Sequence, residues 1–168
     1  MEVRSPRVGR VQSIEVGSLF VLLGGARGNP ICLRAAYNAA DDPDEANRVV
    51  PLHWPEDRQS VGVAIYATAL SGWGVVLDDA RLAVSPLSAR SGEVESLTAV
   101  YARDGRLFFP VSYQGRLRGL VDAESGEILT SVSGTYVIFE DWYISIAPAQ
   151  LDRLVVLPVS DENESENG

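Results

Sequence analysis

Three closely spaced turn signals constrain this chain more than any other feature of its sequence. They are Asp104-Gly105, Gln114-Gly115 and Ser125-Gly126, and the runs between them are rich in β-branched and aromatic residues. An X-Gly pair favours positive φ, which suits the tight turn of a β-hairpin. The spacing therefore predicts an antiparallel meander within residues 97–146.

The turn positions also predict the cross-strand partners and the two faces of the meander. Counting outward from the second turn pairs Val111 with Arg118 and Phe109 with Leu120. One face then carries Val100, Leu107, Phe109, Val111, Tyr113 and Leu120, and the other carries Leu97, Tyr101, Phe108, Leu117 and Val121. A sheet with one wet face alternates apolar and polar residues, but here both faces are apolar. The meander is therefore either covered on both sides within the domain, or one face meets a partner.

Pro110 interrupts the central strand of this meander. Because proline has no N–H to donate, it belongs at a sheet edge or at a bulge, and a bulge would shift the register by one residue and swap the faces. If one face meets a partner, the candidate interface residues lie on and beside this strand. They are Phe108, Pro110, Tyr101, Leu117, Arg116 and Arg118.

Runs of strand-forming residues recur along the rest of the chain with almost no helical periodicity. Asp78-Asp79 predicts a tight hairpin between residues 73–77 and 81–84, and residues 86–92 predict a connection between sheets. Further strands are expected at residues 8–16, 19–23, 31–37, 61–69, 136–146 and 154–159. About ten short strands with minimal helix predict an all-β fold, an antiparallel β-sandwich or barrel.

Length and charge limit the organisation and the partners. The 168 residues, 46% of them hydrophobic, predict a single β-domain over residues 8–159, with an N-terminal arm at 1–7 and an acidic polar tail at 160–168. The net charge of −9 argues against nucleic-acid binding. No apolar run resembles a signal peptide or a membrane span, so we expect a soluble protein, intracellular or within an assembled particle.

The sequence offers few groups for catalysis. His53 and Cys32 are the only histidine and cysteine, a G-x-S-x-G motif is absent, and all 14 basic residues are arginine. The Gly-rich residues 24–28 lack the P-loop lysine, and the acidic residues 41–45 lack the EF-hand pattern. We therefore expect no catalytic residue, no metal site and no cofactor.

Three functional classes remain. The missing catalytic set, the two-sided apolar strand and the arginine-only basic residues, which suit bidentate interface pairing, favour a non-enzymatic structural protein. Such a protein would be a homo-oligomer or a subunit of a larger particle, such as a viral capsid, tail or decoration component. The alternatives are a carbohydrate- or ligand-binding module, with Trp142, Tyr143 and Trp73 as candidate contacts, and a small carboxylate-based hydrolase using Glu140 and Asp141.

Overall fold

A computed structural model describes residues 7–24, 28–38, 46–146 and 153–156 of the chain. These residues form strands joined by turns and by single turns of 3₁₀ helix, so the predicted all-β class is confirmed. The strands are β1 (Val8–Arg10), β2 (Leu19–Leu23), β3 (Ile31–Tyr37), β4 (Asn47–His53), β5 (Ile65–Tyr66), β6 (Trp73–Val76), β7 (Ala80–Val84), β8 (Ala89–Gly92), β9 (Val100–Arg103), β10 (Arg106–Tyr113), β11 (Arg116–Asp122), β12 (Glu127–Leu129), β13 (Tyr136–Phe139), β14 (Trp142–Ile146) and β15 (Arg153–Val156). The predicted acidic tail lies outside the described residues, as does the predicted arm apart from Arg7.

The strands form one large and one small sheet. The order in the large sheet is β1-β6-β2-β3-β12-β11-β10-β9-β13-β8, with β4 also paired to β3 and β5 to β4. The small sheet has the order β15-β14-β7. Named strands pair in the antiparallel sense except β12 with β3, which joins the meander to the N-terminal strands in parallel.

The predicted meander is confirmed over β9 to β12. Asp104 and Gly105 have φ values of 52° and 76°, and Gln114 and Gly115 have values of 51° and 71°. Two successive residues with positive φ are what the twisted two-residue hairpin turn requires. The pairs that flank the turns, Arg103 with Arg106 and Tyr113 with Arg116, follow from the turn positions.

The predicted register beyond the second turn is wrong by one residue. A bulge between Val111 and Ser112 gives β11 an extra residue, so Val111 lies opposite Gly119 rather than Arg118. Phe109 consequently pairs with Val121 rather than Leu120. Because side chains alternate along a strand, the slip exchanges Leu120 and Val121 between the two faces of the meander.

Pro110 occupies a gap in the ladder on one side of β10. The pairing of β10 with β9 ends at Phe108, and the next contact on β10 is a parallel bridge between Ser112 and Val63. Ser112 donates its N–H to the carbonyl of Gly62 at 2.8 Å. Since alternate residues direct their N–H to the same side, the missing proline N–H falls where no ladder bond is made.

The main core lies between the two sheets, and the large sheet folds around this core. Its buried residues are Leu19, Ile31, Leu33, Ala35, Val50, Leu52, Val100, Phe109, Val111, Val121, Ile128, Trp142 and Ile144. Phe109 and Trp142 meet edge to face with ring centroids 5.0 Å apart, and the Trp142 indole donates to the carbonyl of Thr98 at 2.8 Å. Trp142 thus fixes the small sheet against the meander.

The second face of the meander is also covered by the chain itself. Tyr101, Phe108 and Leu120 pack there with Tyr136 and Ile138 of β13. The irregular segments 93–98 and 130–135 close over them, because Val94 and Val132 pack on this cluster and the Tyr101 hydroxyl donates to the carbonyl of Ser96 at 2.8 Å. The two-sided apolar pattern therefore reflects an internal layer, and it no longer requires a partner.

Three strand predictions in the first half of the chain are wrong in whole or in part. Within residues 8–16 the strand ends at Arg10 and a 3₁₀ turn follows at Val11–Ser13. Residues 61–69 contain only the two-residue β5, followed by a 3₁₀ turn. The strands beside Asp78-Asp79 do not form a hairpin, since β6 pairs with β1 and β2 whereas β7 pairs with β14. The chain crosses there between sheets, because apolar side chains of β7 such as Leu82 and Val84 pack into the main core from the small-sheet side.

Candidate functional site

Half of the six predicted interface residues lie in the interior. Tyr101, Phe108 and Pro110 are buried, so these side chains belong to the core and are not exposed on this chain. Leu117 is half-buried, and only Arg116 and Arg118 are exposed.

The predicted ligand-binding aromatics are likewise divided. Trp142 is 4% exposed and is held by Phe109 and Thr98, so it offers no stacking face to a ligand. Tyr143 is half-buried. Trp73 is different, because 51% of it is exposed.

Trp73 belongs to an apolar surface at one end of the large sheet. Directly paired residues of antiparallel strands share a face, as do residues two apart on one strand. The ladders therefore place two rows on the same face, Val8–Val75–Val21 and Arg10–Trp73–Leu23. We call the five apolar residues of these rows, Val8, Val21, Leu23, Trp73 and Val75, the Trp73 face.

The Trp73 face continues the main-core face of β2 toward the end of the strand, where the side chains become exposed to solvent. Along β2, Leu19 is buried, Val21 is half-buried and Leu23 is 37% exposed. Val8 on β1 is 52% exposed. Three large apolar side chains thus stand together in solvent, whereas an isolated exposed apolar residue such as Leu87 needs no explanation.

The strand that carries Trp73 is held rigidly from behind. A second core lies on the opposite face of β2 and β3 from the main core, and its buried residues are Val11, Ile14, Phe20, Leu22, Cys32, Val49 and Ala67. A Cβ at Gly74 would lie 2.5 Å from Ile14 and 2.7 Å from Phe20, so only glycine lets this second core pack so closely against β6. The Arg10 guanidinium lies 5.9 Å from the Trp73 ring centroid, a cation–π contact that restrains the indole at its rim. The surface is therefore preorganised and does not depend on a mobile loop.

Among the described residues, no strand pairs with the outer edge of β1, which lies next to the Trp73 face. Val76 donates to the carbonyl of Arg7 at 2.9 Å and Val11 donates to that of Gly72 at 3.2 Å, so the odd-numbered residues of this segment face β6. By the alternation of an antiparallel ladder, the N–H groups of Val8 and Arg10 point away from the sheet. An unpaired edge of this kind is a template for another strand.

A polar cleft of about 560 Å³ lies where the starts of β2 and β7 meet the ends of the β9–β10 and β11–β12 turns. It holds ion pairs between Arg7 and Asp78 and between Arg106 and Asp122. Asp122 is buried, and one of its oxygens accepts the N–H groups of Glu124 and Ser125 at 2.8 Å each. Burial alone would raise the pKa of Asp122, but the hydrogen bonds from Ser125, Glu124 and Arg106 outweigh it and lower the pKa.

The role of Asp122 in this cleft is structural. Its two amide contacts close the loop that leads to β12, and both of its carboxylate oxygens are engaged. A carboxylate held ionised by these partners is a poor proton acceptor near neutral pH. The ionised residues in the cleft therefore stabilise the junction between the meander and the N-terminal strands.

The remaining reactive groups do not converge. Cys32 packs in the second core, where burial raises its pKa to about 12. His53 pairs with Ile31, which packs in the main core, so His53 lies on that face of the sheet and Cys32 lies on the opposite face. Burial lowers the pKa of His53. Glu140 and Asp141 are exposed in the bend before β14, and Glu140 pairs with Arg90 at 3.0 Å.

Metal and membrane features were sought in the same residues. In the part of the chain that the structure describes, no three His, Cys, Asp or Glu side chains gather as a metal-binding group. The acidic residues 41–45 and most of the Gly-rich stretch 24–28 lie outside it. No helix among these residues has the length and apolar character needed to cross a bilayer.

Sequence reasoning singled out Trp73 but missed the surface around it. The Trp73 face combines β6 with two strands about fifty or more residues before it in the sequence, and β1 and β2 each join it by pairing with β6. The fold and this surface define an all-β protein with a rigid apolar face beside a sheet edge that no described strand pairs. No protein-family model matches the chain, and comparisons with curated proteins and with solved structures find no match either.

Proposed function

We propose that this protein is a non-enzymatic structural or assembly protein, a subunit of a larger particle whose copies associate through the Trp73 face. The observation that carries the proposal is the exposure of Trp73, Val8 and Leu23 side by side on a rigid sheet. Tryptophan at the centre of an apolar patch is typical of the residues that dominate binding energy at protein interfaces.

The outer edge of β1, unpaired within the described part of the chain, supports the same proposal. A strand added there would hydrogen-bond to the outward groups of Val8 and Arg10 and would continue the apolar face onto the partner. Copies meeting around a two-fold axis would place the same patch on both sides, as closed dimers require.

A carbohydrate-binding module is the second candidate, and the exposed indole of Trp73 is the feature that supports it. Sugar sites surround the stacking aromatic with hydrogen-bonding groups that fix the hydroxyls. The neighbours of Trp73 across the ladders are Leu23 and Arg10, and the adjacent row is entirely valine. The apolar surroundings therefore favour a protein partner over a sugar.

Light scattering after size exclusion tests the proposal. At high salt, which leaves apolar contacts in place, we expect the wild-type protein to form dimers or larger species and Trp73→Ala to remain monomeric. Leu87→Ala is the matched control, because Leu87 is 98% exposed and lies outside the Trp73 face. A wild-type protein that stays monomeric at high concentration would contradict the proposal, and glycan binding lost in Trp73→Ala would favour the second candidate.

A further inference from the structure

A second exposed surface lies at the tip of the β10–β11 hairpin. Tyr113 is 51% exposed and pairs directly with Arg116, which is also exposed. Arg118 is exposed at the extra position that the bulge creates in β11. We call Tyr113, Arg116 and Arg118 the hairpin tip. A tight turn with two positive-φ residues holds these side chains on a short, defined hairpin.

The two arginines of the hairpin tip take no part in the ion pairs found among the described residues. Within the described residues, no carboxylate forms an ion pair with Arg116 or Arg118, whereas Arg7, Arg90 and Arg106 each have an acidic partner. The chain as a whole has a net charge of −9, and these two exposed guanidinium groups lie two residues apart on the same strand. Tyrosine and arginine together are the residue types enriched at protein interfaces.

The complementary charge occurs in the same chain. Residues 160–168 contain Asp161, Glu162, Glu164 and Glu166 and no basic residue. The chain continues for 12 residues after β15, from 157 to 168. At about 3.3 Å per residue an extended segment of this length spans roughly 40 Å, enough to reach a neighbouring molecule.

We propose that the hairpin tip of one copy binds the acidic segment 160–168 of a neighbouring copy. Arg116 and Arg118 present planar donors to the carboxylates of the segment, and Tyr113 supplies apolar contact beside them. Such a contact joins two different surfaces, so it links copies head to tail. The choice of a neighbouring copy as the source rests on the proposed self-association, but the surface is separate from the Trp73 face.

Charge exchange between two variants tests this contact. One variant carries Arg116→Glu and Arg118→Glu, and the other carries arginine in place of Asp161, Glu162, Glu164 and Glu166. In sedimentation velocity at about 0.05 M salt, each variant alone should associate at least about tenfold more weakly than wild type, because its own two surfaces now repel. A mixture of the two should form a mixed complex, since each hairpin tip then meets a segment of opposite charge.

Salt and the Trp73 face separate this inference from the proposed function. At about 0.5 M salt the hairpin contribution should disappear from the wild type, while the contribution lost in Trp73→Ala should persist. Circular dichroism verifies that the charge variants keep their β structure. If the mixture forms no mixed complex, the inference is overturned. That result would also be obtained if the segment bound the hairpin tip of its own molecule, and the inference would be equally wrong in that case. Association that ignores both salt and these charges would overturn it as well.

Discussion

At the scale of single residues, Asp122 shows how a buried charge can fasten two parts of the fold. Its carboxylate accepts the amides of Glu124 and Ser125 and pairs with Arg106 at the junction between β11 and β12. The sequence around it predicts only a turn, because a Ser-Gly signal carries no information on which side chain caps the loop. The loop that Asp122 caps packs against Gly17 and Arg34, which are distant in the sequence.

Replacing Asp122 should produce a stability loss that depends on pH. The lowered folded-state pKa means that the carboxylate stabilises the fold fully above its unfolded value of about 3.9 and loses this effect as pH falls through the folded value. At pH 7 we expect Asp122→Asn to lower the free energy of unfolding by about 1–3 kcal/mol, and the difference from wild type to shrink below about pH 4.

Urea unfolding of both proteins across this pH range measures the Asp122 effect. Since the other carboxylates titrate alike in wild type and variant, the difference between the two curves isolates this group. An equal difference at about pH 3 and at pH 7 would show that the charge of Asp122 is not what stabilises the loop.

Cys32 offers a second test at the same scale. The buried thiol, with its pKa raised to about 12, has very little thiolate at neutral pH and no path to a reagent. We expect a thiol-specific reagent to modify native protein only as fast as the second core opens, and to modify unfolded protein at once. The reaction is followed by the absorbance change of a chromogenic thiol reagent, and because the chain has one cysteine, this change reports the modification of Cys32 alone. Rapid modification of the native protein would place Cys32 at the surface.

At the scale of elements, turn chemistry was readable from the sequence, whereas the bulge was indicated only as one of two options for Pro110 and its position was not. Asp104-Gly105 and Gln114-Gly115 carry their backbone preference in the residues themselves, so the hairpins and their first pairs followed directly. The bulge at Val111 and Ser112 lies beside Gly119, where a Cβ would lie 2.4 Å from the carbonyl oxygen of Leu129 in β12. Such a contact is invisible until the strand order is known.

Two glycines with the same backbone conformation should respond differently to alanine. Gly105 and Gly126 have φ values of 76° and 73°, but a Cβ at Gly105 meets open space, whereas one at Gly126 would lie 2.5 Å from backbone atoms of Arg34 and Gly17. We expect Gly105→Ala to cost about 1 kcal/mol from backbone strain alone and Gly126→Ala to cost about 3 kcal/mol or more.

Chemical denaturation compares the glycine variants directly, with Gly115→Ala as a control that also meets open space. Equal losses of unfolding free energy for Gly105→Ala and Gly126→Ala would mean that the β12–β3 junction can accommodate a methyl group without losing stability. The close approach of these loops would then not hold the two halves of the sheet together.

At the scale of the whole molecule, the class of fold was predictable and the assignment of strands to sheets was not. Regular β-rich runs without helical periodicity determine the all-β class. The run beside Asp78-Asp79 looked like a hairpin because local pattern cannot distinguish a turn within a sheet from a crossing between sheets. Local pattern also could not predict that the second face of the meander is covered by the chain itself. The segments 93–98 and 130–135 are polar in sequence and still close over Tyr101 and Phe108.

The central claim, that copies associate through the Trp73 face, is tested most directly by hydrogen–deuterium exchange at low and high protein concentration in about 0.5 M salt. The account predicts that backbone amides of residues 8–10 and 73–76 exchange more slowly as concentration rises, while those of the exposed Asp104-Gly105 turn do not change. Exchange at residues 8–10 and 73–76 that is the same at every concentration would contradict it.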